Sequence, residues 1–121
     1  MGSVERINYE GVTIVYTNAS GMETNDALDL FKSTIPVISS MPPKSVLSLV
    51  NLKDVVLSRT FNVELKNIAV ENSPYVKATA ICGLSMMASF IAKSIIKLTN
   101  RNAKFFDDVE EAKAWLHSER E

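Results

Sequence analysis

The chain has 121 residues, of which 46% are hydrophobic and 22% charged. That is the mixture of one globular domain, residues 1–121, able to bury roughly two-thirds of its unfolded surface. Lys and Arg number 13 against 14 Asp and Glu, a net charge of −1, which excludes intrinsic disorder and removes the electrostatic case for nucleic acid or an anionic membrane as partner.

Val4 to Tyr9 mixes apolar and polar residues without a helical stripe, and Glu10-Gly11 follows as a turn. Val12-Thr13-Ile14-Val15-Tyr16 is β-branched and aromatic, so the two runs predict a β-hairpin. After the loop Asn18-Ala19-Ser20-Gly21, Thr24 or Asn25 caps a first helix with Asp26 in its first turn, where a carboxylate meets the positive end of the dipole. Leu28, Phe31, Ile35 and Ile38 form its apolar face. Pro36 removes a backbone donor and crowds the preceding turn, which predicts a kink or an early stop, with a second piece reaching Ser40.

Val46 to Leu52 is nearly continuous in apolar character, as in a strand covered on both faces. Phe61, Leu65 and Ile68, extended by Val55, mark a second helix from about Ser58 to Asn72, which Ser73-Pro74 ends. Tyr75 to Cys82 is a fourth strand ending at Gly83. A third helix begins near Ser85, with Met87, Ile91, Ile95 and Leu98 on its core side and Ser85, Ser89, Lys93 and Lys97 on its polar side. Met86, Phe90 and Ile96 widen the apolar arc. Asn100-Arg101-Asn102 closes this helix, and Ala103 to Phe106 is a short fifth strand. Asp107 or Asp108 caps the last helix, with Glu110 or Glu111 three residues on and Val109, Ala112, Trp115 and Leu116 as its buried stripe.

The order β-β-α-β-α-β-α-β-α predicts an α/β fold with a mixed, mostly parallel central sheet and helices packed on it. The N-terminus lacks the basic and apolar pattern of a signal peptide, and no apolar run approaches the roughly 20 residues of a spanning helix. One cysteine, Cys82, forms no intramolecular disulfide and lies in an apolar run, so it reads as a buried core residue and the chain as cytoplasmic.

Groups for chemistry are few. His117 is the only histidine; near a helix C-terminus it suits the dipole, and a single histidine without a partnered nucleophile makes no relay. Asp107, Asp108, Glu110 and Glu111 read as helix caps rather than a metal site. The four glycines are isolated, so no nucleotide loop is present and no cofactor is expected. The chain is therefore read as a non-enzyme.

Val76-Lys77-Ala78-Thr79-Ala80-Ile81-Cys82-Gly83-Leu84, the helix ending Leu98-Thr99-Asn100-Arg101, and the segment from Phe105-Phe106-Asp107-Asp108 to Trp115-Leu116 together resemble small STAS-like domains of the SpoIIAA-like type. The resemblance covers the last third to two-fifths of the chain, and the element order matches over the rest. It implies a superhelix of βα units on a mixed sheet, and a binding or switching module of the kind that includes anti-sigma-factor antagonists. It also implies a kinship with sheets that carry apolar ligands. Phosphorylated antagonists carry an Asp-Ser-Ser-Gly-like turn before the second helix. Here the region reads Leu52-Lys53-Asp54-Val55-Val56-Leu57-Ser58-Arg59: Asp54 matches the acidic position, but no serine pair or glycine follows.

Two functions are expected on this footing. One is a regulatory module that binds a protein partner or a second copy of itself through the third helix and the loops before the second and third helices, with Ser58, Arg59, Ser85, Met86 and Phe90 as the working residues. In that surface Ser85 reads first as a helix cap and second as an anion ligand. The alternative is a carrier or sensor of a small apolar ligand, held between sheet and helices by residues such as Phe31, Ile35, Phe61, Leu65 and Met87.

Overall fold

The computed structural model describes residues 2–56, 58–84 and 86–121, with the side chains of 86–91 outside that description. Its elements in chain order are β1 (Ser3–Tyr9), β2 (Val12–Asn18), α1 (Thr24–Lys32), α2 (Thr34–Ser39), β3 (Val46–Asn51), α3 (Arg59–Asn72), β4 (Val76–Cys82), α4 (Met86–Thr99), β5 (Ala103–Phe106) and α5 (Val109–Ser118). The five strands lie side by side in the order β1-β2-β3-β4-β5. β1 and β2 are an antiparallel hairpin, and every later pair is parallel. This is the mixed, mostly parallel α/β sheet that the sequence predicts.

The interruption expected at Pro36 falls three residues earlier. α1 ends at Lys32, and Pro36 is the third residue of α2. In that first turn its missing N–H needs no partner. Its ring would meet the carbonyl four residues back, on Lys32, if the helix ran on, so the chain breaks at Ser33. Val55 lies in the loop before α3 rather than in the helix. The α3 N-terminus is capped by Ser58, whose hydroxyl accepts from Phe61 N–H at 3.1 Å. Of the two candidates for the last cap, Asp108 is the one used, accepting from Glu110 N–H at 3.1 Å.

Parallel strands in consecutive order, joined by crossovers of one hand, place their helices on one face. α1 to α4 share that face, and α5 alone covers the other. Ile14, Leu47, Leu49, Ala78, Ala80 and Cys82 pack against Ala112 and Leu116 of α5. Val15, Val46 and Val76 meet Ile38 of α2, while Leu52 meets Phe31 and Phe61 of α1 and α3.

One irregularity decides which β4 side chains face which layer. Val46 pairs with Val76 but Leu47 pairs with Ala78, so β4 has an extra residue at Lys77. In a regular strand Val76 and Ala78 would share a face. The bulge instead turns Val76 to the α1–α4 layer and Ala78 to α5. Beyond it, Ala80 and Cys82 follow Ala78, and Thr79 and Ile81 face the helices.

α4 differs from its sequence reading at its C-terminal end. Ala92, Ile95 and Ile96 face the sheet, whereas Leu98, assigned to the core stripe, is 60% exposed. The helix closes in a Schellman motif: Asn100 takes the left-handed conformation (φ 51°), Arg101 N–H donates to Ile96 O at 3.2 Å, and Asn100 N–H to Lys97 O at 3.4 Å. This turn sends Arg101 back beneath α3.

Candidate functional site

The α1–α4 face is not uniformly apolar. Thr17 of β2, Ser48 of β3 and Thr79 of β4 all point into it and are buried. Ser48 and Thr79 are direct register partners across β3 and β4. Above them the helices leave a cavity of about 90 Å³. Its apolar wall includes Phe31, Leu65, Ile68, Ile81, Ile95 and Ile96.

Polar groups gather at the end of this cavity from which the parallel strands start. Asn72, in the last turn of α3, donates from Nδ2 to Thr34 Oγ1 at 3.1 Å, and Thr34 Oγ1 donates to Phe31 O at 2.6 Å. Arg101 donates from Nη2 to Ala69 O at 2.6 Å. That carbonyl belongs to the last turn of α3, where a cation suits the dipole and an unpaired acceptor needs a donor. The strand start is fixed to the same place, since Thr79 N–H donates to Asn102 O at 2.9 Å.

Three polar atoms in this lining are buried without a partner: Asn72 Oδ1, Thr79 Oγ1 and Arg101 Nε. Buried polar groups are paired in the great majority of cases, and one left unmade costs roughly 1–3 kcal/mol. Burial pushes the Arg101 guanidinium down to about 10, so it stays cationic at neutral pH. The arrangement is a half-open, mostly apolar pocket with a part-buried cation and two unpaired polar atoms at one end. It can hold a small molecule, and among the described residues that line it no nucleophile is paired with a base.

The residues singled out from sequence lie elsewhere. Ser58 is spent as the α3 cap and Arg59 is an exposed first-turn residue. Both lie at the opposite end of the parallel strands, in the connection that leaves β3. Ser85 lies outside the described residues, as do the side chains of Met86, Met87 and Phe90. Phe31 and Leu65, expected around a ligand, do line the cavity. Phe61 and Ile35 instead pack in the adjoining core, where Phe61 meets Phe31 edge-on at 6.4 Å between ring centres. A second depression of about 210 Å³ opens beside the end of β4, lined by Ile81, Leu84, Lys93, Phe105, Phe106 and Asp107.

The remaining chemistry-bearing residues have structural partners. Cys82 is buried against α5. Burial first, and the carboxylates of Asp108 and Asp107 second, push its thiol up to about 11, so it is a poor nucleophile at neutral pH. His117 meets Tyr9 edge-on at 6.1 Å and shares Nδ1 with Arg120 Nη1 at 3.2 Å. Among the described residues, no group of three or more His, Cys, Asp or Glu could hold a metal ion. Nor is any described helix long and apolar enough to cross a membrane.

Comparison with known proteins adds the fold. No family model matches the chain, and no curated protein matches it. A solved structure does: an uncharacterized protein of the DUF3478 family with a SpoIIAA-like fold, from Shewanella loihica PV-4. The superposition covers 95% of this chain and 93% of that one at a TM-score of 0.72, with 16% sequence identity. The chain has a SpoIIAA-like fold. Within that SpoIIAA-like frame, sequence reasoning missed Thr17, Ser48, Thr79, Asn72 and Arg101. A signal was present: a polar residue interrupts the apolar face of each of three strands.

Proposed function

We propose that the protein is a non-enzymatic sensor that encloses one small ligand between its sheet and the α1–α4 layer. The observation that carries this reading is the cavity of about 90 Å³ whose lining contains three buried, unpaired polar atoms. A cavity lined with polar groups takes a hydrogen-bonding guest, whether water or a small ligand. This one keeps polar groups at a cost to stability, as binding sites do. Its size sets the ligand class. A cavity of roughly 150 Å³ accepts benzene, so about 90 Å³ suits a molecule smaller than that.

Native mass spectrometry of protein purified from cells tests the reading, together with xenon entry in crystals. A co-purifying small mass, or xenon density between Phe31 and Ile96, supports it. A core that excludes xenon and carries no added mass contradicts it.

A second reading, a regulatory module that docks a protein, is favoured by a different observation. Val63 and Val70, two turns apart on α3, are 52% and 51% exposed, and Leu98 on α4 is 60% exposed. The two readings are compatible, since the helices that carry these side chains also roof the cavity. Sedimentation velocity at several concentrations tests self-association through this face, which Val63→Glu and Val70→Glu would abolish.

A further inference from the structure

We infer that the ligand of this cavity is a small monocarboxylate, its anionic group held by the Arg101 Nε–H and the Thr79 hydroxyl and its short chain lying toward Leu65, Ile68 and Ile96. The inference rests on the sensor reading above and names the chemistry of its ligand.

The argument begins with an unbalanced charge. Among the described residues the Arg101 side chain has one hydrogen bond, from Nη2 to the Ala69 carbonyl, and its Nε is buried and unpartnered. The two ion pairs among the described residues, Lys32 with Glu64 and Lys113 with Glu110, do not involve it. Desolvation alone accounts for the fall of its pKa to about 10, with no carboxylate opposing it. Arg101 is part-buried with its Nε fully covered, and a partly desolvated cation without a counter-charge is completed by an anion. The planar guanidinium matches a carboxylate in geometry, and its hydrogen bonds to an ionised partner are about twice as strong as neutral ones.

The neighbouring groups fit the same ligand. Thr79 Oγ1 has no partner, and a hydroxyl rotates to donate to an anion. Asn72 Oδ1, an unpaired acceptor in the lining, suits a donor carried with the carboxylate, such as a hydroxyl on the ligand. The other wall is apolar, and the volume of about 90 Å³ accommodates about four non-hydrogen atoms by comparison with benzene.

The test is calorimetric titration of the full chain at pH 7 with acetate, propionate and butyrate, each against its neutral amide. Binding of one carboxylate at 1:1 stoichiometry, at least tenfold tighter than its amide, is expected. Arg101→Gln should remove that tenfold preference while amide binding stays within about threefold. Thr79→Val should weaken the carboxylate more than the amide. An amide that binds wild-type protein as tightly as its acid overturns the carboxylate inference and leaves the cavity reading standing. If no acid or amide binds and xenon is also excluded, both fail. Should Arg101→Gln not fold, the acid-to-amide ratio on wild-type protein decides alone.

Discussion

Gly83 passes so close to Lys53 that a Cβ on the glycine would lie 2.6 Å from the Lys53 backbone nitrogen. The contact ties the end of β4 to the turn after β3, and Gly83 holds it at φ +84°. Gly83→Ala therefore meets both a backbone clash and a left-handed conformation. Gly11→Ala is the control, because Gly11 shares φ +84° and has nothing within 4 Å of its added Cβ. Urea unfolding should show a loss of about 1 kcal/mol at Gly11 and clearly more at Gly83. Equal losses would mean that the close approach carries no weight.

Ser58 lies in the connection from β3 to α3, and its hydroxyl caps α3. Ser58→Ala should cost about 1 kcal/mol, and Ser58→Asp should recover most of that, since aspartate caps as well as serine. Thermal unfolding of the two variants checks this. A Ser58→Asp protein as unstable as Ser58→Ala would show that the bond to Phe61 N–H is not the role of this side chain.

The Thr79 hydroxyl is buried and has no protein partner among the described residues. Thr79→Val keeps the shape and removes the unpaired group, so the variant should be more stable by about 1 kcal/mol. A site that trades stability for binding behaves this way. Denaturant unfolding without added ligand gives the answer, and a destabilised Thr79→Val would mean that this hydroxyl is paired in solution.

Cys82 links stability to pH at the alkaline end. Its thiol titrates near 9 when unfolded and near 11 when folded. The folded state therefore holds its proton longer, and the stability this contributes is full below pH 9 and declines as pH rises toward 11. The limiting slope is about 1.4 kcal/mol per pH unit. Comparing wild-type protein with Cys82→Ala between pH 8 and 10.5 isolates the effect. The wild-type curve should fall more steeply, and parallel curves would contradict the assignment.

Much of the fold was legible because local signals agreed with the tertiary structure. The Glu10-Gly11 turn, the apolar run of β3 and the acidic start of α5 each point to the element that forms there. Pro36 shows how the signal locates a break imprecisely: the proline stays inside a helix, and the strain is relieved at Ser33. Leu98 shows a different limit, because one apolar residue at helical spacing does not say whether the next layer reaches it. The candidate site was hidden for a topological reason. Thr17, Ser48 and Thr79 belong to three strands, and only their register brings them together. The bulge at Lys77 sets which way Thr79 points, and nothing in the local pattern announces it. Arg101 read as part of a polar helix ending, and its approach to Ala69 depends on the Schellman turn at Asn100 and on where α3 ends.

The most direct test of the cavity as a binding site is methyl NMR of the full chain titrated with propionate, following Leu65, Ile68, Ile81 and Ile96. Saturable shifts at these methyls, with Leu116 on the opposite face of the sheet unmoved, are predicted. Uniform small shifts across both faces, or none at the cavity methyls at any propionate concentration, would contradict the account.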